Sequence, residues 1–154
     1  MKANDQIIDV LNDLIRINND RVDGYQKAIK ETPDNDAGLR SLFERMANES
    51  REYARELSSE VNRLGGDPSS SNTASGSIYH VWMDLRSSLS KDKEHSVLAL
   101  CEFGEDAAQR AYEKALDESD LSMSVRQMIT SQKSALKDSH DTIRRERDEH
   151  KDRP

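Results

Sequence analysis

One cysteine among 154 residues excludes an internal disulfide, so a cytoplasmic home is the expectation. Apolar residues make up only 34% of the chain and aromatic residues 5%, too few for a deep, wide core. No apolar run approaches the roughly 18 residues needed to span a bilayer, and MKANDQIID lacks the apolar heart of a signal peptide. Net positive charge is missing too. At −7 the chain is a poor match for nucleic acid or an acidic membrane surface, so neither is expected as a partner. There is no Gly-rich phosphate loop, no Ser-His-Asp order and no Cys-x-x-Cys pair. A strand-like alternation of useful length is absent as well, which argues against β structure.

What remains is charge, 34% of residues, arranged around helical stripes. A first helix is expected over 4–31, capped by Asn4 or Asp5. Ile8, Ile15, Val22 and Ile29 repeat every seven residues there, with Leu11, Asn18 and Tyr25 between them. After Pro33-Asp34-Asn35-Asp36 a second helix is expected over 36–64, ended by Gly65-Gly66-Asp67-Pro68. A polar stretch leads to a short amphipathic helix over 77–90, with Trp82 as its anchor. Two more long helices follow, over 93–117 and 122–149. Short connections make each pair of long helices antiparallel neighbours. The fold class expected is therefore all-α: one domain over 1–154, an antiparallel four-helix bundle whose long crossover carries a short extra helix, which is the ferritin-like arrangement.

Counting back from the two hairpin turns brings Asn18, Ser50, Tyr53, Glu105 and Gln132 towards a common middle level, with Ser139 close by. All sit on otherwise apolar stripes. A carboxylate there must be hydrogen-bonded, protonated, metal-bound or near water. Ferritin-like bundles place two metal ions at this level, held by a Glu from each of two helices and a Glu-x-x-His pair from each of the others. Here the first helix offers Asn18, the second offers Ser50 and Tyr53, and Lys137 precedes His140 where a glutamate is wanted. The bland reading is a satisfied polar layer, Glu105 bonded to tyrosine hydroxyls and amides. The sharper one is a partial metal site of Glu105 with Glu49, Glu52 or His140. Cys101, on the apolar stripe, is expected to be a buried structural thiol, and His80 and His95 to face solvent.

Asn12-Asp13-Leu14-Ile15, Leu42-Phe43-Glu44-Arg45, Arg63-Leu64-Gly65-Gly66-Asp67-Pro68, Trp82-Met83-Asp84-Leu85 and Cys101-Glu102-Phe103-Gly104-Glu105-Asp106 with Tyr112 follow one another in a specific order. Together they resemble a bacterial family of ferritin-like four-helix bundles known as a domain of unknown function. The likeness runs from about residue 5 to 147. A more distant likeness to rubrerythrin, through Gly104-Glu105 and Asn48-Glu49, implies di-iron peroxidase chemistry. The sequence departs from that pattern at Asn18, Ser50, Tyr53 and Lys137. The functional expectation is a non-catalytic binding or structural module with a degenerate di-metal site. The resemblance adds a stress-related setting. No cofactor is expected; the partners expected are another protein and a second copy of the chain in a homodimer. The alternative is a metal-dependent oxidoreductase or metal store, di-iron or mononuclear, taking iron or another divalent metal at Glu105 and its neighbours.

Overall fold

Two short hairpins set the architecture, and both are closed by the same device. In the first, Asp36 caps the second helix by accepting a hydrogen bond from the Leu39 amide at 3.0 Å. Arg40, in that helix's first turn, reaches back to the Ile29 carbonyl at 3.2 Å and the Thr32 carbonyl at 3.4 Å, at the end of the first helix. In the second, the Ser122 hydroxyl accepts from the Val125 amide at 3.2 Å, and Arg126 donates to the Leu116 and Glu118 carbonyls, both at 2.8 Å. A cation over the carbonyl end of a helix is favourable, because that end carries the negative pole of the dipole.

The computed structural model describes residues 2–32, 34, 36–71 and 93–151. Its elements are α1 (Lys2–Glu31), α2 (Ala37–Arg63), α3 (Lys93–Leu116) and α4 (Met123–Lys151), with no strand among the described residues. The helix expected over 77–90, with Trp82 and His80, lies outside the described residues, as does the side chain of His95. α1 begins at Lys2, ahead of the Asn4 or Asp5 cap read from the sequence. The chain is an all-α, ferritin-like four-helix bundle: α1 packs on α2 and α3, and α4 packs on α3. No helix among the described residues is long and apolar enough to cross a membrane.

The Gly65-Gly66 pair stops α2 by geometry. Gly65 adopts φ 86°, in the left-handed region. Its amide returns to the Asn62 carbonyl and that of Gly66 to the Val61 carbonyl, both at 3.0 Å, which is the Schellman arrangement. A Cβ on Gly66 would lie 2.8 Å from Ile8 Cδ1, so the turn sits directly against α1. From there the chain runs up α1. Asn12 holds the Asp67 carbonyl at 3.2 Å and the Ser69 amide at 2.8 Å, and Asn19 holds the Ser71 carbonyl at 2.7 Å.

The core falls into two apolar clusters. One gathers Leu39, Phe43, Met46, Leu98, Cys101 and Ile143; the other gathers Leu11, Leu14, Leu57, Val61, Val125, Ile129 and Leu136. Between them along every helix lies a band of buried polar side chains: Asn18 and Arg21 of α1, Ser50 of α2, Glu105 of α3, and Gln132 and Ser139 of α4. Cys101 is fully buried in the first cluster, one turn from that band.

Candidate functional site

The centre of the band is an ion pair. Arg21 and Glu105 are fully enclosed, and Arg21 Nε donates to Glu105 Oε1. Removing both charges from water costs several kcal/mol each, so the remaining donors and acceptors decide whether the pair is tolerated. Most of them are met. Arg21 Nη1 donates to the Ser50 hydroxyl, and Nη2 donates to Glu49 Oε1 at 3.2 Å while lying 3.9 Å from Met46 Sδ. The guanidinium also sits 5.2 Å from the centre of the Tyr25 ring, within cation–π range. The Tyr25 hydroxyl donates to Glu105 Oε1 at 2.9 Å. Glu105 Oε2 is buried without a hydrogen-bond partner among the described residues.

A second arm leaves Arg21 towards the surface, with each group donating to the next. Ser50 Oγ donates to Asn18 Oδ1 at 2.8 Å, and Asn18 Nδ2 to the Tyr112 hydroxyl at 2.8 Å. That hydroxyl donates to Gln132 Oε1 at 2.7 Å, and Gln132 Nε2 to Glu56 Oε1 at 3.4 Å. The chain thus runs from a buried cation to a surface carboxylate, a direction in which each bond polarises the next. A third arm converges on Glu49, which accepts from Ser139 at 2.8 Å and from Tyr53 at 3.3 Å.

Burial pulls the Arg21 guanidinium down, but Glu105 beside it, with Tyr25 and Glu49, holds it above the ordinary arginine range. Burial pushes the Glu105 carboxyl up from its usual range, against the opposing pull of Arg21 and the Tyr25 hydroxyl. Tyr25, Tyr53 and Tyr112 are all raised, chiefly by burial, and remain neutral hydrogen-bonding groups near neutral pH.

Sequence reasoning named Asn18, Ser50, Tyr53, Glu105 and Gln132 for this level, and the structure joins them in one network, Tyr53 as a half-buried member through Glu49. It missed Arg21. The amides of Asn18 and Gln132 serve Tyr112, while Glu105 takes a guanidinium and the Tyr25 hydroxyl. The four residues weighed as metal ligands are not brought together. Glu105 and Glu49 share Arg21; Glu52 faces outward and pairs with Arg55; His140 lies on the α3–α4 seam beside Asp106 at 2.7 Å. Glu52 is parted from Glu49 because residues three apart on a helix diverge by about 60°.

The arrangement does not fit a di-metal centre. A metal pair needs converging anionic and imidazole donors. Here a permanent cation already lies between the two inward carboxylates, and the other groups at this level are hydroxyls and amides.

Four antiparallel helices around such a band define a ferritin-like protein whose central layer is charge-paired. More particularly, the chain belongs to the family described as Domain of unknown function (DUF2383), whose model matches residues 6–118. Among solved structures it is similar to a point mutant of Mycobacterium smegmatis Dps1, with 18% sequence identity and a TM-score of 0.79, over 93% of this chain and 95% of that one. At that identity the likeness shows the fold alone. No curated protein matches the chain.

Proposed function

We propose that this protein is a non-catalytic ferritin-like bundle, a binding or structural module in which Arg21 takes the electrostatic place of a metal ion. The observation that carries this reading is the contact of one buried guanidinium with both Glu105 and Glu49. A fixed internal cation does what a resident metal would do for the fold, neutralising carboxylates at mid-height, but it offers no open coordination position and no redox couple. Rubrerythrin-type peroxidase chemistry is outside this reading, since Asn18, Ser50, Tyr53 and Lys137 stand where that chemistry needs carboxylate and imidazole donors. The stress-related, cytoplasmic setting rests on the family resemblance and the cysteine content. A protein partner and a homodimer complete the proposal.

The test is metal content by elemental mass spectrometry on protein purified without an affinity tag and loaded anaerobically with Fe(II), Mn(II) or Zn(II). Whatever metal the protein takes up is expected to be the same in wild type and in Glu105→Gln. Stoichiometric metal that disappears in Glu105→Gln overturns the reading and installs the oxidoreductase or metal-store alternative.

A further inference from the structure

One turn of α3 carries acidic residues on two sides: Glu105 points into the band, while Glu102 and Asp106 lie towards α4 and meet His140. Glu102 and Asp106 are four residues apart, hence on one face of the helix. One carboxylate oxygen from each and one ring nitrogen of His140 all lie within 4.8 Å of one another. Ligands bound to one ion at about 2.1 Å stand roughly 3–3.5 Å apart, so a modest side-chain adjustment brings the three into a common shell.

The histidine itself indicates what the seam is built to hold. Its side chain is only 10% exposed, and both nitrogens face carboxylates: Nε2 lies 2.7 Å from Asp106 Oδ1, and Nδ1 lies 3.0 Å from Asp141 Oδ1. Asp141 is itself held by Lys137 Nζ at 2.7 Å. The ring is thus fixed between the two carboxylates, with Nε2 directed at Asp106 on the side where Glu102 also lies. Asp141 stands behind the ring at Nδ1, the place from which a carboxylate orients an imidazole ligand on a metal. A cation already leans on the seam: Arg147 Nη1 pairs with Glu102, and its Nη2 pairs with Asp148 at 2.9 Å, so Arg147 keeps a partner when it releases Glu102.

We propose that Glu102, Asp106 and His140 form a site for one first-row divalent transition-metal ion on the α3–α4 seam, with Asp141 orienting the imidazole and Arg147 gating access to Glu102. Two hard oxygens and one borderline nitrogen suit Mn(II), Fe(II), Co(II) or Zn(II), and the outward side leaves positions for water. The site is separate from the Arg21–Glu105 layer and stands whether or not the reading of that layer holds.

Titration of the metal-free full chain with Co(II), followed by its visible absorption, and with Zn(II) by calorimetry, tests this. One ion per chain is expected. Glu102→Gln and His140→Gln should each weaken binding at least tenfold, and Asp141→Asn by about tenfold, the usual cost of losing an orienting partner. Arg147→Gln should tighten binding, and Glu105→Gln should leave it unchanged. Should His140→Gln fail to fold, Mn(II) broadening of the His140 ring signals in the wild-type NMR spectrum gives the same answer. Absence of binding at millimolar metal, affinity indifferent to Glu102→Gln, or broadening centred elsewhere overturns the site. Binding lost in Glu105→Gln instead overturns both this proposal and the charge-paired reading of the interior.

Discussion

Glu105 and Asp106 are consecutive residues with opposite environments. Glu105 is fully buried against a fully buried arginine; Asp106 is about half exposed against a histidine on the seam. The same carboxylate chemistry is made permanent on one side of α3 and exchangeable on the other. Arg21 cannot give up its proton near neutral pH or leave without unpacking the core, so its pairing is part of the fold. Lys137 and Arg147 can let go at the surface, where water replaces them at little cost.

The largest expected effect tests the first half of that contrast. Glu105→Ala removes the carboxylate that lies closest to Arg21 and leaves a buried guanidinium with only the more distant Glu49 as counter-charge. A loss of about 3–5 kcal/mol is expected, the usual cost of breaking a buried pair from one side. Asp106→Ala, one residue on, should stay within about 1 kcal/mol. Urea unfolding at neutral pH measures both. Equal losses would mean that the two faces of α3 do not differ as their burial indicates.

Next in size is the paired replacement. Arg21→Met alone leaves Glu105 buried without its cation and should cost about 3–5 kcal/mol, whereas Arg21→Met with Glu105→Leu should recover most of that loss. The coupling from the double-mutant cycle is the quantity to read. If the double variant is as unstable as the sum of the singles, the ion pair is not the unit that organises the band.

Much of this was legible in the chain. The Leu39, Leu42, Phe43 and Met46 spacing of α2 and the Gly65-Gly66 stop describe amphipathic helices and their turns directly. Asn18, Ser50, Glu105 and Gln132 stood out because polar residues interrupt apolar stripes. Arg21 did not. The seven-residue count through Ile8, Ile15, Val22 and Ile29 puts Val22 inward, and a long arginine beside such a stripe ordinarily carries its charge to water. In the structure Arg21 is fully buried and Val22 only partly, the inward line being Leu14, Asn18, Arg21, Tyr25 and Ala28. That line steps four, three, four, three, as a helix face does, so the spacing was readable. So was the requirement that a buried glutamate find a cation at its own depth. The seam was harder. Register between α3 and α4 depends on how the hairpin turn is built, which a count of residues from the turn does not fix. The contacts run from Asp106 to His140 and from Gln109 to Lys133.

The smallest effects lie in the pH dependence, and there the two faces should bend stability in opposite directions. Burial raises Glu105 in the folded chain, so the pH-dependent part of its contribution is fully present below the ordinary carboxylate range and is lost as pH rises through the raised folded value, while the pairing with Arg21 remains. Lys137 and His140 lower Asp141, so its contribution is present above the ordinary range and is lost as pH falls through the lowered value. Asp141 is 51% exposed, which keeps its share small and sensitive to salt. Glu105→Gln should therefore flatten the stability profile above the carboxylate range, and Asp141→Asn should flatten it below. Added salt should erase the second change and spare the first. Thermal unfolding across pH at two ionic strengths reads all three. A Glu105 contribution that faded with salt as readily as that of Asp141 would place the inward carboxylate within reach of solvent, and the contrast between the two sides of α3 would collapse.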